Sequence, residues 1–189
     1  FYRGGRSLQI RSADPNAPQT VFRFSNVPCD GPDLFVRITA RAESTRGYPM
    51  EIARLMHVGI PNRKSKSQHR SSYMTFLNER NFDSTFYFSG LTEKTVDLEF
   101  SVEGGDALRI TSITVHAHPD AIYRQFEDGL VLANPAPTPY TFDLVGLFPN
   151  RNFRRIRGNS TQDPVANDGL PVSKKLTLGP KDAIFLANN

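Results

Sequence analysis

The sequence predicts an all-β protein, a jelly-roll β-sandwich followed by a smaller antiparallel β-sandwich. Three observations carry this. Apolar and polar residues alternate through many short runs, the period of a half-buried strand. The 13 Gly and 14 Pro interrupt the 189-residue chain often, which suits short strands joined by turns better than long helices. Hydrophobic residues are only 38%, with no Trp, so 14 Phe and 6 Tyr must supply the bulk of an economical core.

The elements follow in order. Ser7–Ser12 and Thr20–Val27 alternate as strands around the turn cluster ADPNAP. After a second cluster, PCDGPD, Leu34–Ser44 alternates with Leu34, Val36, Ile38 and Ala40 on one face. Glu51–Ile60 fits either a short amphipathic helix or a strand, and its strand neighbours favour the strand. Pro61–Ser72 is a polar, basic loop. Tyr73–Asn78 and Ser84–Leu91 are strands around NERNFD, and Thr95–Gly104 puts Val96, Leu98, Phe100 and Val102 on one face. Ala107–Pro119 alternates Leu108, Ile110, Ile113 and Val115 with a one-residue slip near Ser112, the mark of a β-bulge.

A new set begins at Asp120. AIYRQFED and GLVLANPA meet at Asp128–Gly129, a hairpin signal. PYTFDLVGL, NFRRIRG, KKLTLGP and DAIFLANN complete it, with the polar stretch NSTQDPVANDGLPV between the second and third of these. The expected domains are residues 1–119, with eight strands, and residues 120–189, with six. The second is near the lower size limit for independent stability. No internal repeat points to a propeller or solenoid.

Charge narrows the function. The net +4 is spread, with 15 Lys/Arg against 12 Asp/Glu in residues 1–119 and 8 against 7 in 120–189. Neither part has the basic surface that nucleic-acid binding needs. No apolar run reaches membrane-spanning length and no signal peptide is visible. The chain begins with Phe, so it is expected to be a processed chain or a piece of a longer one. Cys29 is alone, which leaves no intramolecular disulfide and no evidence for or against secretion.

No motif for nucleophilic or zinc-dependent hydrolysis occurs. His116 and His118 stand two apart on one strand, a spacing that suits a metal or simply the solvent side of that strand. Glu99 and Glu103 represent the paired carboxylates that hydrolyse glycosidic bonds, although solvation explains such residues equally well. Asp163, Asn167 and Asp168 cluster oxygen donors suited to a structural Ca²⁺, and are also what a tight turn needs. Asn159-Ser160-Thr161 is a formal glycosylation acceptor. For carbohydrate, Tyr48 and Tyr73 offer rings to stack on sugar C–H faces, and Arg63 and Arg70 of the basic loop offer contacts to acidic sugars or phosphates. Core packing competes for the tyrosines, including Tyr87, and simple solvation for the loop.

Two stretches add a resemblance. GGRSLQIRS, TVFRFSNVPCDGPDLFVRITARAES and VDLEFSVEGGDALRITSITV, about residues 4–117, resemble the jelly-roll carbohydrate-binding-like modules of secreted polysaccharide enzymes. YRQFEDGLVLANPAPTPYTFDL, FRRIRGNSTQDPVANDG and LTLGPKDAIFL, about residues 121–187, resemble the C-terminal β-domain of a group of glycoside hydrolases. The shared positions are Arg124, Phe126, Gly129, Leu130, Val131, Asn134 and Pro135, then Gln162, Asp163, Pro164, Asn167, Asp168 and Gly169, then Pro180, Asp182 and Leu186. In that group the catalytic carboxylates belong to a barrel absent here. The resemblance therefore implies a non-catalytic accessory region at an extracellular or cell-surface location, with a polysaccharide or glycan as partner and no catalytic residue. The alternative is a secreted subunit that self-assembles through exposed edge strands and its N-terminal segment.

Overall fold

A computed structural model describes residues 7–61, 63 and 72–189. The chain divides into two compact units, Phe1–His118 and Pro119–Asn189. The protein is all-β, as the alternation predicts.

In the first unit, β1 (Leu8–Ile10), β8 (Leu108–His116), β3 (Asp33–Ala42) and β6 (Phe82–Ser89) form one antiparallel sheet in that order. The second sheet runs β2 (Gln19–Pro28), β7 (Thr95–Glu103), β4 (Arg54–Gly59) and β5 (Ser72–Leu77). Leu34, Val36, Ile38 and Ala40 of β3 and Leu98, Phe100 and Val102 of β7 are fully buried between the sheets. Phe22 stacks on Phe100 with centroids 4.9 Å apart. The 51–60 segment resolves to strand, with Met56 and Val58 in the core. The slip near Ser112 is a bulge, since Thr39 pairs Ser112 but Ala40 pairs Ile110. Inserting Thr111 lets both Ile110 and Ile113 face inward.

Arg54 is the largest fully buried side chain, at 0% exposure. Its guanidinium donates to the carbonyls of Glu103 (2.7 Å), Ala107 (3.2 Å) and Gly104 (3.3 Å). Burial lowers its pKa from the ordinary arginine value, opposed by Tyr48, Asp106 and Glu103. A buried cation persists only when its donors are used, and here it ties the end of β7 to the start of β8.

In the second unit, β12 (Phe153–Arg155), β14 (Asp182–Asn188), β10 (Gly129–Asn134) and β9 (Ile122–Gln125) form one antiparallel sheet in that order. β11 (Tyr140–Asp143) and β13 (Lys175–Leu178) form a second. Leu130, Leu132, Phe142, Phe153, Leu178 and Leu186 make the core. A Cβ on Gly129 would lie 2.2 Å from the Leu186 carbonyl oxygen, so the β9–β10 turn needs glycine for close backbone approach. Buried Asn134 shapes the proline-rich break, donating to the carbonyls of Thr138 and Gly179, each at 2.8 Å, while accepting from the Ala136 amide.

One element departs from expectation. PYTFDLVGL reads in sequence as one strand, but Leu144–Leu147 is a short helix, α1. Asp143 caps it by accepting from the Gly146 amide at 3.1 Å.

Candidate functional site

Alternation along β2, β7, β4 and β5 gives their sheet a solvent-facing side. Rows of paired residues cross it. Val21, Ser101, His57 and Met74 form one row; Arg23, Glu99, Gly59 and Ser72 form the next. Gln19 pairs Glu103 and Leu55 pairs Phe76 on the far side of the first row. Gly59 has no side chain, so the sheet dips there. The result is a groove of about 220 Å³ lined by His57, Gly59, Pro61, Ser72, Glu99 and Ser101, among others. On the edge strand β5, Met74 and Phe76 stand 58% and 44% exposed.

The polar groups of this face are held in place. Arg23 donates through Nη2 to Glu99 Oε2 at 2.6 Å, and its Nη1 lies 3.7 Å from Asp97 Oδ2. That bond to Glu99 raises the Arg23 pKa. Asp97 accepts from the Asn26 amide at 3.0 Å, and Glu103 from the Leu55 amide at 3.2 Å. Ser101 donates to Gln19 Oε1 at 2.7 Å. Such a floor presents positioned donors and acceptors beside the exposed Met74 side chain, a mixture of polar and apolar surface that suits a polyhydroxylated ligand.

The residues chosen from sequence do not gather here. Tyr73 points between the sheets. Its ring packs edge-on to Phe88 with centroids 5.2 Å apart, and its hydroxyl donates to the Tyr87 carbonyl. Tyr48 sits at the other end of β4, with Arg54 4.7 Å above its ring and its hydroxyl donating to Asp106 at 2.8 Å. Gly104, at φ +78°, leaves room for that ring, because a Cβ there would meet it at 2.2 Å. The two tyrosines therefore serve packing at opposite ends of the sandwich and form no common platform. Arg63 donates to the carbonyls of Ser89 (2.5 Å) and Gly90 (3.1 Å), joining the start of the basic loop to the end of β6. Arg70 lies outside the described residues.

The oxygens of the 159–169 loop are engaged locally. Asp163 Oδ1 accepts from the amides of Val165 and Ala166, and its carbonyl accepts from Asn167. Asp168 accepts from Arg155 at 3.0 Å and from the Leu170 amide at 2.8 Å. Among the described residues, no three His, Cys, Asp or Glu side chains gather as a metal site would need. Asn159 is exposed, and its side-chain oxygen accepts from the amide and hydroxyl of Thr161. His116 and His118 stack on each other, centroids 5.3 Å apart, and His118 also stacks on Phe35.

Glu99 and Glu103 share the outer face but stand four residues apart on one strand. That puts their backbones ~13 Å apart, beyond the ~5–9.5 Å between the carboxyl groups of glycosidase pairs. Sequence reading noticed Glu99 but missed His57, Gly59, Phe76 and Ser101. The alternation that buries Met56, Val58 and Phe100 was the available signal, because it also assigns their neighbours to one outer face.

No family model and no curated protein matches the chain. Its neighbours among solved structures include carbohydrate-binding modules. The module TmCBM61, in complex with β-1,4-galactotriose, is 12% identical at a TM-score of 0.41, over 62% of this chain and 74% of that one. The EclA C-terminal domain, a sugar-binding protein, is 9% identical at 0.41, over 61% and 81%. The glycoside hydrolase domain of Endo-D from Streptococcus pneumoniae is 11% identical at 0.41; all of this chain aligns, to 29% of that one.

Proposed function

We propose that the first unit is a non-catalytic carbohydrate-binding module and that the outer face of β2-β7-β4-β5 is its binding surface. One observation carries this reading, the groove over Gly59 lined by Glu99, Ser101, His57 and Ser72, with exposed Met74 in the His57 row. A sugar lays a C–H face on His57 and its hydroxyls against Glu99 and Ser101. The second unit is a structural companion in this reading, and the parent setting is an extracellular enzyme of polysaccharides. The experiment is a glycan array followed by calorimetry with the best ligand. Binding in the micromolar to millimolar range is expected; the absence of any ligand at millimolar concentration ends the reading.

Assembly of identical copies is a second reading. It is favoured by β5, an edge strand without charge, proline or bulge between Ser72 and Leu77, the type of edge that accepts another strand. Light scattering decides it, since a chain that stays monomeric at all concentrations has no such assembly.

A further inference from the structure

We infer that the first unit carries a further ligand site, a cleft at one end of the sandwich that takes a small zwitterion. The ligand class is a free amino acid or dipeptide, its carboxylate on Arg11 and its ammonium on Asp106 and Glu43. This site is independent of the carbohydrate-binding reading.

The strand register builds the cleft, which has a volume of about 490 Å³. Ile10 pairs Leu108, and Leu108 pairs Ala42. One residue beyond these pairs, Arg11, Ala107 and Glu43 stand side by side, with the Glu43 amide donating to the Ala107 carbonyl at 3.0 Å. Ala107 is small, so the cleft runs over it between Arg11 and Glu43. The backbones of those two residues are two strand spacings apart, ~10 Å. Gly105 completes the floor. It is buried, its carbonyl accepts from the Ser12 amide at 3.2 Å, and a Cβ there would lie 2.5 Å from the Pro15 carbonyl oxygen. Residues 1–6 lead into β1 from the end remote from Arg11. Residues 64–71 follow β4 beyond Gly59, ~17 Å along that strand from Arg54, and it is Arg54 that reaches the Ala107 carbonyl at the cleft end.

The cleft walls carry opposite charges that do not meet. Glu43 Oε1 accepts from Arg109 and lies 3.8 Å from Arg41, while Asp106 Oδ2 accepts from the Tyr48 hydroxyl at 2.8 Å. These partners orient both carboxylates and leave Glu43 Oε2 and Asp106 Oδ1 as acceptors. Arg54 also attracts the Asp106 carboxylate, but its donors go to backbone carbonyls. Arg11 lines the cleft, and among the described residues it makes no hydrogen bond or ion pair. A guanidinium takes a carboxylate through two parallel N–H donors, and an ammonium has three donors to divide between two carboxylates. A ligand with a single charge engages one wall and leaves the other bare. Length sets the upper limit. Extended backbone advances ~3.5 Å per residue, so a tripeptide already spans the full separation of Arg11 and Glu43. An amino acid or dipeptide leaves room for the side chains that bind it.

The test titrates glycylglycine, N-acetylglycylglycine and glycylglycine amide into the full chain and follows the amide resonances of Gly105, Asp106 and Ala107 by NMR. Glycylglycine is expected to bind at least ~10-fold tighter than either blocked form, since each lacks one charge-assisted contact. Glycine and triglycine complete the series: the tighter of glycine and glycylglycine separates amino acid from dipeptide, and triglycine as the tightest of the three overturns the inference. Arg11→Gln should erase the advantage over the amide and keep the advantage over the N-acetyl form. Asp106→Asn keeps an acceptor for the Tyr48 hydroxyl. It should cut the advantage over the N-acetyl form at least ~3-fold and leave the advantage over the amide. No response to any of these probes, an equal response to free and blocked forms, or preferences unmoved in both variants, each shown to unfold cooperatively, overturns the inference. So does a response of these amides to neutral monosaccharides alone, which assigns the cleft to sugar. None of these outcomes bears on the groove over Gly59, whose glycan array stands as a separate test.

Discussion

The outer faces of the two sheets in the first unit are both built from arginine, carboxylate and hydroxyl, yet they use them differently. On β1-β8-β3-β6, Arg37 and Thr39 both donate to Asp83, Ser112 donates to Thr39, and Glu43 is held by Arg109 and lies 3.8 Å from Arg41. The polar atoms there mostly satisfy one another across neighbouring strands. On β2-β7-β4-β5 the charged network is confined to β2 and β7, while β4 and β5 contribute a glycine, a histidine, a serine and bare apolar side chains. The first face is closed by its own pairs; the second keeps acceptors open over a dip. Composition does not separate them. What separates them is which partners the register supplies and where a side chain is missing.

The two faces share one interior, and the largest effect should come from it. Replacing Arg54 with Met takes a charged donor from the carbonyls of Glu103, Gly104 and Ala107, of which Gly104 keeps the Thr20 hydroxyl and Ala107 the Glu43 amide. A lost bond from a charged donor costs about 1.5–3 kcal/mol, so urea unfolding should show a loss of at least ~2 kcal/mol. A loss below ~1 kcal/mol would show that water replaces the guanidinium, and that Arg54 does not hold the sandwich end.

Filling the dip is the next largest effect and the sharpest test of the comparison. Gly59 lies in ordinary strand conformation, so Gly59→Leu introduces no backbone strain. Stability should stay within ~1 kcal/mol, as for most surface changes, while glycan affinity falls at least ~10-fold, or ~1.4 kcal/mol. Arg37→Ala on the opposite face is the control, and should leave affinity unchanged. If Arg37→Ala weakens binding and Gly59→Leu does not, the two faces have been assigned the wrong way round.

That comparison also marks how far the sequence could be read. The strands of both units were legible because β-branched and aromatic residues recur at period two, and the bulge at Thr111 showed as a slipped apolar phase. Helix α1 was not, because LVGL reads as strand until the Asp143 cap is seen to turn the chain. The tyrosines misled for a different reason. Ring chemistry is visible in sequence, but the direction of Tyr73 depends on the β5 register, and the place of Tyr48 depends on the buried cation beneath it. Glu99, Ser101 and Gly59 become one groove only because β7 lies between β2 and β4, a neighbour relation that alternation does not encode.

The smallest expected effect lies on the closed face and depends on pH. The hydrogen bonds from Thr39 and Arg37 hold the Asp83 carboxyl below its ordinary pKa. A carboxylate depressed in the folded state adds stability above its unfolded pKa, about 3.9, and loses it as pH falls through the lower folded value. Both side chains of the Arg37–Asp83 pair are about half exposed, at 55% and 46%, so solvent screening limits the contribution to at most ~1 kcal/mol. Asp83→Asn should therefore be slightly less stable than wild type at pH 7, and the difference should vanish as the pH drops below the carboxylate range. Thermal melts at several pH values measure it, and a difference that persists at pH 2 would assign the effect of the substitution to packing instead of charge. Glycan binding should be indifferent to this substitution at neutral pH, because the face that carries Asp83 has its polar groups turned toward one another.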